Sequence, residues 1–521
     1  MEMPYYGYNL TFGKSVKINS EKHPDKIAIY FEGHNVTYKE LNERANRLSN
    51  AMQKLGFQKG DTVSVLLYNG IECVVTWFGL AKAGICFVPV NYRLEASEIA
   101  YIISNSDSKA VILGAEFVEK VASIRGKLAK SAQGRLLVIG SPVPEGMMDF
   151  DSLLANASGD EPNVEVKLSD WFHISYTSGT TGRPKGAVIS HRPRVFQALL
   201  SAFLFKIYDG IHLAAGPLYH SGPFGYAIIQ LYYGGSIVIM KNFVPEEVPK
   251  IIEQYRITNT WLVPTMLTWI LNVENRKNYD VSSMTSIVTA GSALSPRTKE
   301  ELQGYFRNAQ VYEYYGLTEF GITAALKTGQ GVGKYRTVGM PVFGVELKLL
   351  DDKGNEVSTG EVGEIYTRGP YLFDGYYNMS EETAKCFRGD WFGSGDMGRV
   401  DEDGFLYIVD RKHDMVISGG VNIYPAEIDE ALYSHPGVLE AAVVGVPDEK
   451  WGEALKGFVV IKKGFSMTED ELKQFLKGKI AGYKVPKSFA FVEELPKTSS
   501  GKILKRELRR PFWEGREFQV E

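Results

Sequence analysis

The sequence predicts an α/β fold: a large N-terminal domain of parallel-type sheets covered by helices, a small β subdomain, and a smaller α+β C-terminal domain. Three observations predict it. Short β-branched runs alternate with segments of helical spacing through most of the chain, the pattern of parallel strands joined by crossover helices. After about Val342 the texture changes to hairpin-like strands. The length, 521 residues, exceeds what one hydrophobic core usually organises.

Taken in order, KIAIYF and HNVTY read as a hairpin, and YKELNERANRLSNAMQKLG has helical spacing with a glycine stop. TVSVLLY is a buried strand, IECVVTWFGLAKAG a helix and CFVPV a further strand. The rhythm continues at KAVIL, LLVIG, SIVIM, TNTWLV, SIVTAG and AQVYEYYG. VELKLLDDKGNEV and GEIYTRG then read as hairpin strands, and GFLYIVDRKHD follows the turn DEDG. Past Asp410, AEIDEALYSHPG, LEAAVVGVPDE, LKGFVVIKKG and ELKQFLKGKI make an α+β unit of normal domain size. The expected division is 1–410, with the β subdomain at about 342–410, and a mobile domain at 411–521.

The charge balance, 58 Lys+Arg against 62 Asp+Glu, gives a net charge of -4 and no electrostatic footprint for nucleic acid. Cys73, Cys86 and Cys386 are too few and too scattered for a disulfide framework or a metal site, which fits a reducing compartment. The N-terminus lacks the charged and apolar regions of a signal peptide. The long uncharged run between Asp209 and Lys241 is broken by His212, Pro217, His220, Pro223 and several glycines, so no transmembrane span is expected. A cytoplasmic location follows as an expectation.

Chemistry concentrates at Tyr176–Gly186, YTSGTTGRPKG. Its glycines let the backbone approach a ligand closely, its hydroxyls add donors, and Arg183 and Lys185 add charge, the inventory of a phosphate loop. A P-loop is a poor fit, because Pro184 precedes the lysine and Gly186 follows it, with no Gly-Lys-Ser/Thr opening a helix. AGSALSP (Ala290 to Pro296) and YEYYGLTE (Tyr312 to Glu319) end predicted strands, where ligand sites of parallel sheets lie. WFGSGD ends in Asp396, VDRKHD carries Arg411, and PKTSSGKILKREL carries Lys502.

In this order the five segments resemble the adenylate-forming superfamily of acyl-CoA synthetases, peptide-synthetase adenylation domains and luciferase, over roughly Ser20 to Arg506. The resemblance implies that Thr177, Ser178, Gly179, Thr180, Thr181, Gly182 and Lys185 grip the β- and γ-phosphates of ATP. Gly291, Ser292 and Ala293 would border adenine, and Tyr315 would stack on it. Glu313, Tyr314 and Gly316, neighbours in the same motif, are assigned to the same nucleotide-binding edge. Thr318 would contact the α-phosphate, Glu319 would ligate Mg²⁺, Asp396 would hold the ribose hydroxyls with Arg411 nearby, and Lys502 would bridge the acyl carboxylate and the α-phosphate. An acid would attack the α-phosphorus, pyrophosphate would leave, and a thiol would then expel AMP. Charge neutralisation and positioning carry such a reaction.

For the thiol, the resemblance makes Gly419 and Gly420 part of a loop shaping the pantetheine tunnel, Lys484 a candidate contact for a CoA phosphate, and His220 a candidate gate. Coenzyme A is expected rather than a carrier protein. PLYHSGPF lacks the ammonium-holding Asp of peptide synthetases, and the sequence closes soon after Lys502. Leu218, His220, Phe224, Tyr226, Trp261, Met266 and Thr289 are the expected acyl lining, an apolar set that suits a medium- or long-chain fatty acid. Aryl, alicyclic or dicarboxylic acids are the alternatives, with a nucleotide-binding protein that has lost catalysis as a further class. Arg194, in HRPRV, departs from the family pattern and would favour a second carboxylate if it reached the pocket. Lys505 stands where arginine is usual, three residues beyond Lys502. The implied partners are the acid, ATP and CoA, with self-association into a homodimer left open.

Overall fold

The computed structural model describes residues 9–177, 184–292, 294–327, 329–330, 334, 337–418, 421–477, 479–497 and 503–514. The chain divides into two compact units: Met1–Tyr335 with Pro341–Val345 and Arg368–Phe387, and Arg336–Met340 with Glu346–Thr367 and Arg388–Glu521.

The first unit holds two mainly parallel sheets. In one, Trp171–Thr177, Cys86–Pro89, Thr62–Leu66, Ala110–Gly114, Leu136–Ile139 and Met148–Asp149 run parallel. Lys185–Ser190 and Gly375–Tyr376 add to its edge antiparallel. In the other, Gln310–Leu317, Ser286–Thr289, Asn259–Trp261, Ile211–Ala214, Ser236–Ile239 and Ile27–Phe31 run parallel. Gly321–Lys327 and His34–Thr37 are its antiparallel additions in this unit. The parallel cores follow the expected alternation. Of the four antiparallel additions, His34–Thr37 completes the hairpin expected with KIAIYF, Lys185–Ser190 and Gly321–Lys327 each pair with the strand just before them, and Gly375–Tyr376 is borrowed from a distant segment.

Local chemistry explains the principal helices. Tyr38–Lys54 opens on a capping box in which Thr37 and Glu40 satisfy each other's backbone N–H groups. Ile71–Ala83 is apolar nearly all round and buried along almost its whole length, and it stops at Gly84 in the left-handed conformation. Among the described residues no helix is long and apolar enough to cross a membrane.

In the second unit, Glu346–Leu350, Gly363–Arg368, Trp391–Val400, Leu406–Arg411 and Thr337–Pro341 are neighbours in that order. A separate sheet orders Val421–Ile423, Val416–Ser418, Gly452–Ile461 and Val438–Asp448, with Ser488–Phe491 parallel to Gly452–Ile461. Helices Pro425–Tyr433 and Glu469–Leu476 cover one face through Ile428, Leu432, Leu472 and Leu476. The β segment expected at about 342–410 thus groups largely with the C-terminal residues by its contacts. The expected boundary at 411 concerns a pivot, and it is taken up as a proposal below.

Candidate active site

Strand Trp171–Thr177 and strand Lys185–Ser190 form a hairpin whose register pairs Thr177 with Lys185 at the foot of the glycine loop. Ser178, Gly179, Thr180, Thr181 and Gly182 lie outside the described residues, as do Ala293, Gly419, Gly420 and Lys502. What the structure describes is the frame that holds the loop.

Glu319 is the centre of that frame. Strand Gln310–Leu317 ends at a turn carrying Thr318 and Glu319, and Gly321–Lys327 returns antiparallel. The turn requires glycine: a Cβ at Gly316 would stand 1.8 Å from the Gly321 carbonyl oxygen, and Gly321 has φ +77°. Glu319 is buried, 8% exposed, with its Oε1 accepting a hydrogen bond from the Tyr376 hydroxyl at 2.9 Å. Thr177 Oγ1 makes a long contact to the same oxygen at 3.5 Å. The backbone carbonyl of Glu319 accepts from Phe373 N at 2.7 Å. Burial, and then the neighbouring Glu319 carboxylate, push the Tyr376 phenol far above its ordinary range, so it remains a donor.

Lys185 pairs with Glu382 at 2.8 Å and lies 5.3 Å over the Tyr376 ring. Its hydrogen bond is the first cause holding the Glu382 carboxyl down to about 2. Tyr376 and Glu382 carry no sequence signal of their own. They reach the site because Gly375–Tyr376 pairs antiparallel with Lys185–Ser190, bringing residues almost two hundred positions apart together. Mg²⁺ needs few protein ligands beyond one or two carboxylates, since substrate phosphates and water complete its shell. A single buried carboxylate at the loop's foot fits that donor set. Among the described residues no group of three His, Cys, Asp or Glu could hold an ion alone.

At the expected adenine edge, Gly291 and Ser292 follow strand Ser286–Thr289 and are exposed. Glu313 does not face outward there. Its carboxylate pairs with Lys299 at 2.6 Å and accepts from Leu294 N at 3.2 Å, bracing the segment after Gly291, and burial raises its pKa. Tyr314 points to the opposite side from Glu313 and Tyr315, as alternation in a strand demands. Its hydroxyl accepts from Trp261 Nε1 at 3.2 Å.

The expected acyl lining separates into two groups. Phe224 belongs to an aromatic core, 4.7 Å from Trp77 and 5.3 Å from Phe87 by ring centroids, and Met266 packs among Leu262, Leu267 and Ile270. Leu218 is pinned by Asn69, which accepts from its backbone N at 2.9 Å. Tyr226 and Trp261 instead form a looser aromatic group with Tyr314, with centroids 6.2 Å apart for both Tyr226 pairs. Thr289 is fully buried beside them in the chain order of strand ends, its hydroxyl without a partner. His220 is the N-cap residue of helix Ser221–Tyr232, its ring 4.5 Å from Tyr219. Burial and the nearby Arg93 lower its pKa to about 4, so at neutral pH it is an uncharged imidazole.

In the second unit, Asp396 and Arg411 face each other across adjacent antiparallel strands, with Arg411 Nε 3.7 Å from Asp396 Oδ1. Asp396 is 7% exposed. Lys484 pairs with Glu427 on helix Pro425–Tyr433, so its charge is already matched within that unit. Lys505 is held by Asp429 at 2.7 Å. Burial opposes its charge, but Asp429, Asp410 and Asp414 keep the ammonium above its usual range.

The model of AMP-binding enzymes matches residues 16–377, and that of the AMP-binding enzyme C-terminal domain matches 427–502. A feruloyl-CoA synthase of Amycolatopsis sp is 38% identical over 94% of this chain and 96% of its own. The long-chain-fatty-acid–CoA ligase FadD13 of Mycobacterium tuberculosis is 34% identical over 92% and 93%. ATP-bound MatB from Rhodopseudomonas palustris superposes with a TM-score of 0.88 at 30% identity, covering 98% of this chain and 99% of MatB. On these matches, which together span most of its length, the chain belongs to the AMP-binding enzyme family, and it is a ligase of the adenylate-forming kind.

Proposed function

We propose that the protein is an AMP-forming acyl-CoA ligase and that its acid carries a ring rather than a long alkyl chain. ATP, Mg²⁺ and coenzyme A are the co-reactants, in keeping with the relatives' names and with ATP-bound MatB. Glu319 would hold the metal and Thr318 the α-phosphate, while the Thr177–Lys185 loop would orient the departing pyrophosphate. Bound Mg²⁺ would neutralise phosphate charge as the acid attacks. Lys502 would act at the adenylation step, and the neutral His220 imidazole would border the path by which the thiol reaches the acyl group.

The observation that carries the ring preference is the closure made by Trp261. A Cβ at Gly222 would lie 2.6 Å from the Trp261 ring, so the indole fills the first turn of helix Ser221–Tyr232, and its N–H is fixed on Tyr314. A tethered indole with two tyrosines would offer flat aromatic faces that suit a planar ring better than an alkyl chain. The 38% identical feruloyl-CoA synthase supports this reading. The fatty-acid reading keeps support from the 34% identical long-chain ligase.

The test is pyrophosphate and AMP release with ATP, CoA and a panel running from butyrate to stearate, with benzoates, cinnamates and cyclohexanecarboxylate. Aryl acids should give the highest kcat/KM. A maximum at a saturated long-chain acid would restore the fatty-acid reading. Pyrophosphate release with none of them would favour a protein that binds nucleotide without catalysis.

A further inference from the structure

Arg194 lies in the first turn of helix His191–Phe205, yet it is 5% exposed. Its Nη1 donates to Gln197 Oε1 at 2.7 Å, and its Nη2 donates to Ser221 Oγ at 2.6 Å and lies 3.1 Å from His173 Nε2. Its Nε, also buried, has no partner. The His173 imidazole is uncharged, because burial and then the Arg194 charge hold its pKa well below the usual value. Every polar partner of the guanidinium is therefore neutral. Among the described residues no carboxylate pairs with it.

Burying a cation without a counter-charge is costly, and such groups are ordinarily paired. Burial brings the Arg194 pKa only to about 10, so the charge persists at neutral pH. Its position says what could use that charge. Gln197, its first partner, lies against Gly321, two residues past Glu319, where a Cβ would meet the Gln197 Nε2 at 1.6 Å. Ser221, its second, directly follows His220. A Cβ at Gly225 would stand 3.0 Å from Arg194 Nη1, so glycine there leaves the guanidinium room against the helix backbone. The cation thus spans the elements that carry Glu319 and the acyl lining, with Tyr226 and Tyr314 the groups that favour its charge.

We propose that Arg194 is a specificity-determining residue that receives an oxygen of the acid other than those of the reacting carboxylate, a second carboxylate best and a ring hydroxyl next. This rests on the ligase reading above. A guanidinium fork with one buried N–H unmet suits an oxygen acceptor, and a site built to hydrogen-bond such a group discriminates against the analogue that lacks it. An alkyl or methyl group at the same place would leave the cation unmatched.

The experiment compares terephthalate, 4-hydroxybenzoate and 4-methylbenzoate, with the corresponding cinnamates, for kcat/KM of pyrophosphate release. Wild type should favour at least one oxygen-bearing acid over its methyl analogue about 10- to 100-fold. Arg194→Met should bring that ratio near one, and Arg194→Lys, which keeps the charge and loses the fork, should retain part of it. Thermal denaturation establishes that each variant is folded, and Arg194→Lys answers the question if the Met variant is not. Preference for the carboxylate identifies an anionic group, and preference for the hydroxyl a neutral one. A wild-type ratio near one, or an equal loss across all acids in the variants, overturns the inference. Turnover of any acid leaves the ligase reading standing in that case, whereas turnover of none sinks both.

Discussion

Tyr376 illustrates how one side chain outside every recognised motif can govern a motif residue. Its hydroxyl donates to the Glu319 carboxylate at 2.9 Å, and Lys185 sits over its ring. If Glu319 holds Mg²⁺, removing this donor should weaken the metal site by the amount typical of outer-shell partners, about 10- to 100-fold in metal affinity. Tyr376→Phe should accordingly shift the Mg²⁺ concentration for half-maximal pyrophosphate release upward while its saturated rate stays closer to wild type. Glu319→Gln should lose more, about 10²- to 10³-fold in kcat, the cost of removing a principal electrostatic group. An unchanged Mg²⁺ dependence in Tyr376→Phe would mean the carboxylate is oriented by something else.

At the scale of elements, helix His191–Phe205 starts on a residue that works against its own burial. His191 stacks on Phe172 with ring centroids 4.6 Å apart, is fully buried, and has no partner for either ring nitrogen. Burial lowers its pKa from 6.5 to about 3. The folded chain therefore refuses a proton that the unfolded chain accepts below pH 6.5, and stability is lost as pH falls from there toward 3. His191→Phe keeps the stacking and removes both the unsatisfied nitrogens and the titration. The variant should be more stable at pH 7, and its advantage over wild type should widen by about 2 kcal/mol between pH 7 and pH 5. Denaturant titrations at the two pH values measure this, and a constant gap would contradict the buried, neutral assignment. His212 and His220, both lowered to about 4 by burial, act in the same direction, so the comparison with wild type is what isolates His191.

The whole molecule must bring different residues of its C-terminal domain to one reaction in two steps, if Lys502 serves adenylation and the Gly419-Gly420 loop serves thioester formation. We propose His413 as the pivot. The chain is anchored on either side of it: Lys412 binds Glu364 at 3.1 Å and Asp352 at 3.3 Å, and Asp414 binds Arg509 at 2.7 Å. Asp410 accepts from Ala426 N at 2.8 Å. A rotation about this point is absorbed by the backbone of one or two residues, and needs freedom in φ and ψ rather than a particular side chain. His413→Pro, which fixes φ near about −65°, should leave pyrophosphate release from acid and ATP largely intact and abolish conversion of synthetic acyl-AMP to thioester. Equal rates for the second half-reaction in variant and wild type would remove His413 from that role.

The sequence by itself determined the strand–helix alternation, the parallel cores and the motif-bearing strand ends, because side-chain periodicity and glycine placement act over a few residues and need no knowledge of distant partners. The segments YTSGTTGRPKG, YGLTE, WFGSGD and VDRKHD were legible as motifs through their resemblance to a family, since each is a short run of residue types that can be recognised without its distant partners. Only the tertiary structure decided which residues support them. Tyr376 and Glu382 reach Glu319 and Lys185 through an edge pairing that no local pattern encodes. Glu313, read as part of the nucleotide edge, is turned by strand alternation toward Lys299 and Leu294 N. Arg194 stood out in the sequence as a departure from the family pattern, and its burial among His173, Gln197 and Ser221 follows from the packing of a strand and two successive helices, which local periodicity does not specify. Short-range periodicity fixes which face a residue occupies, whereas the partner across that face is set by the order of the sheets.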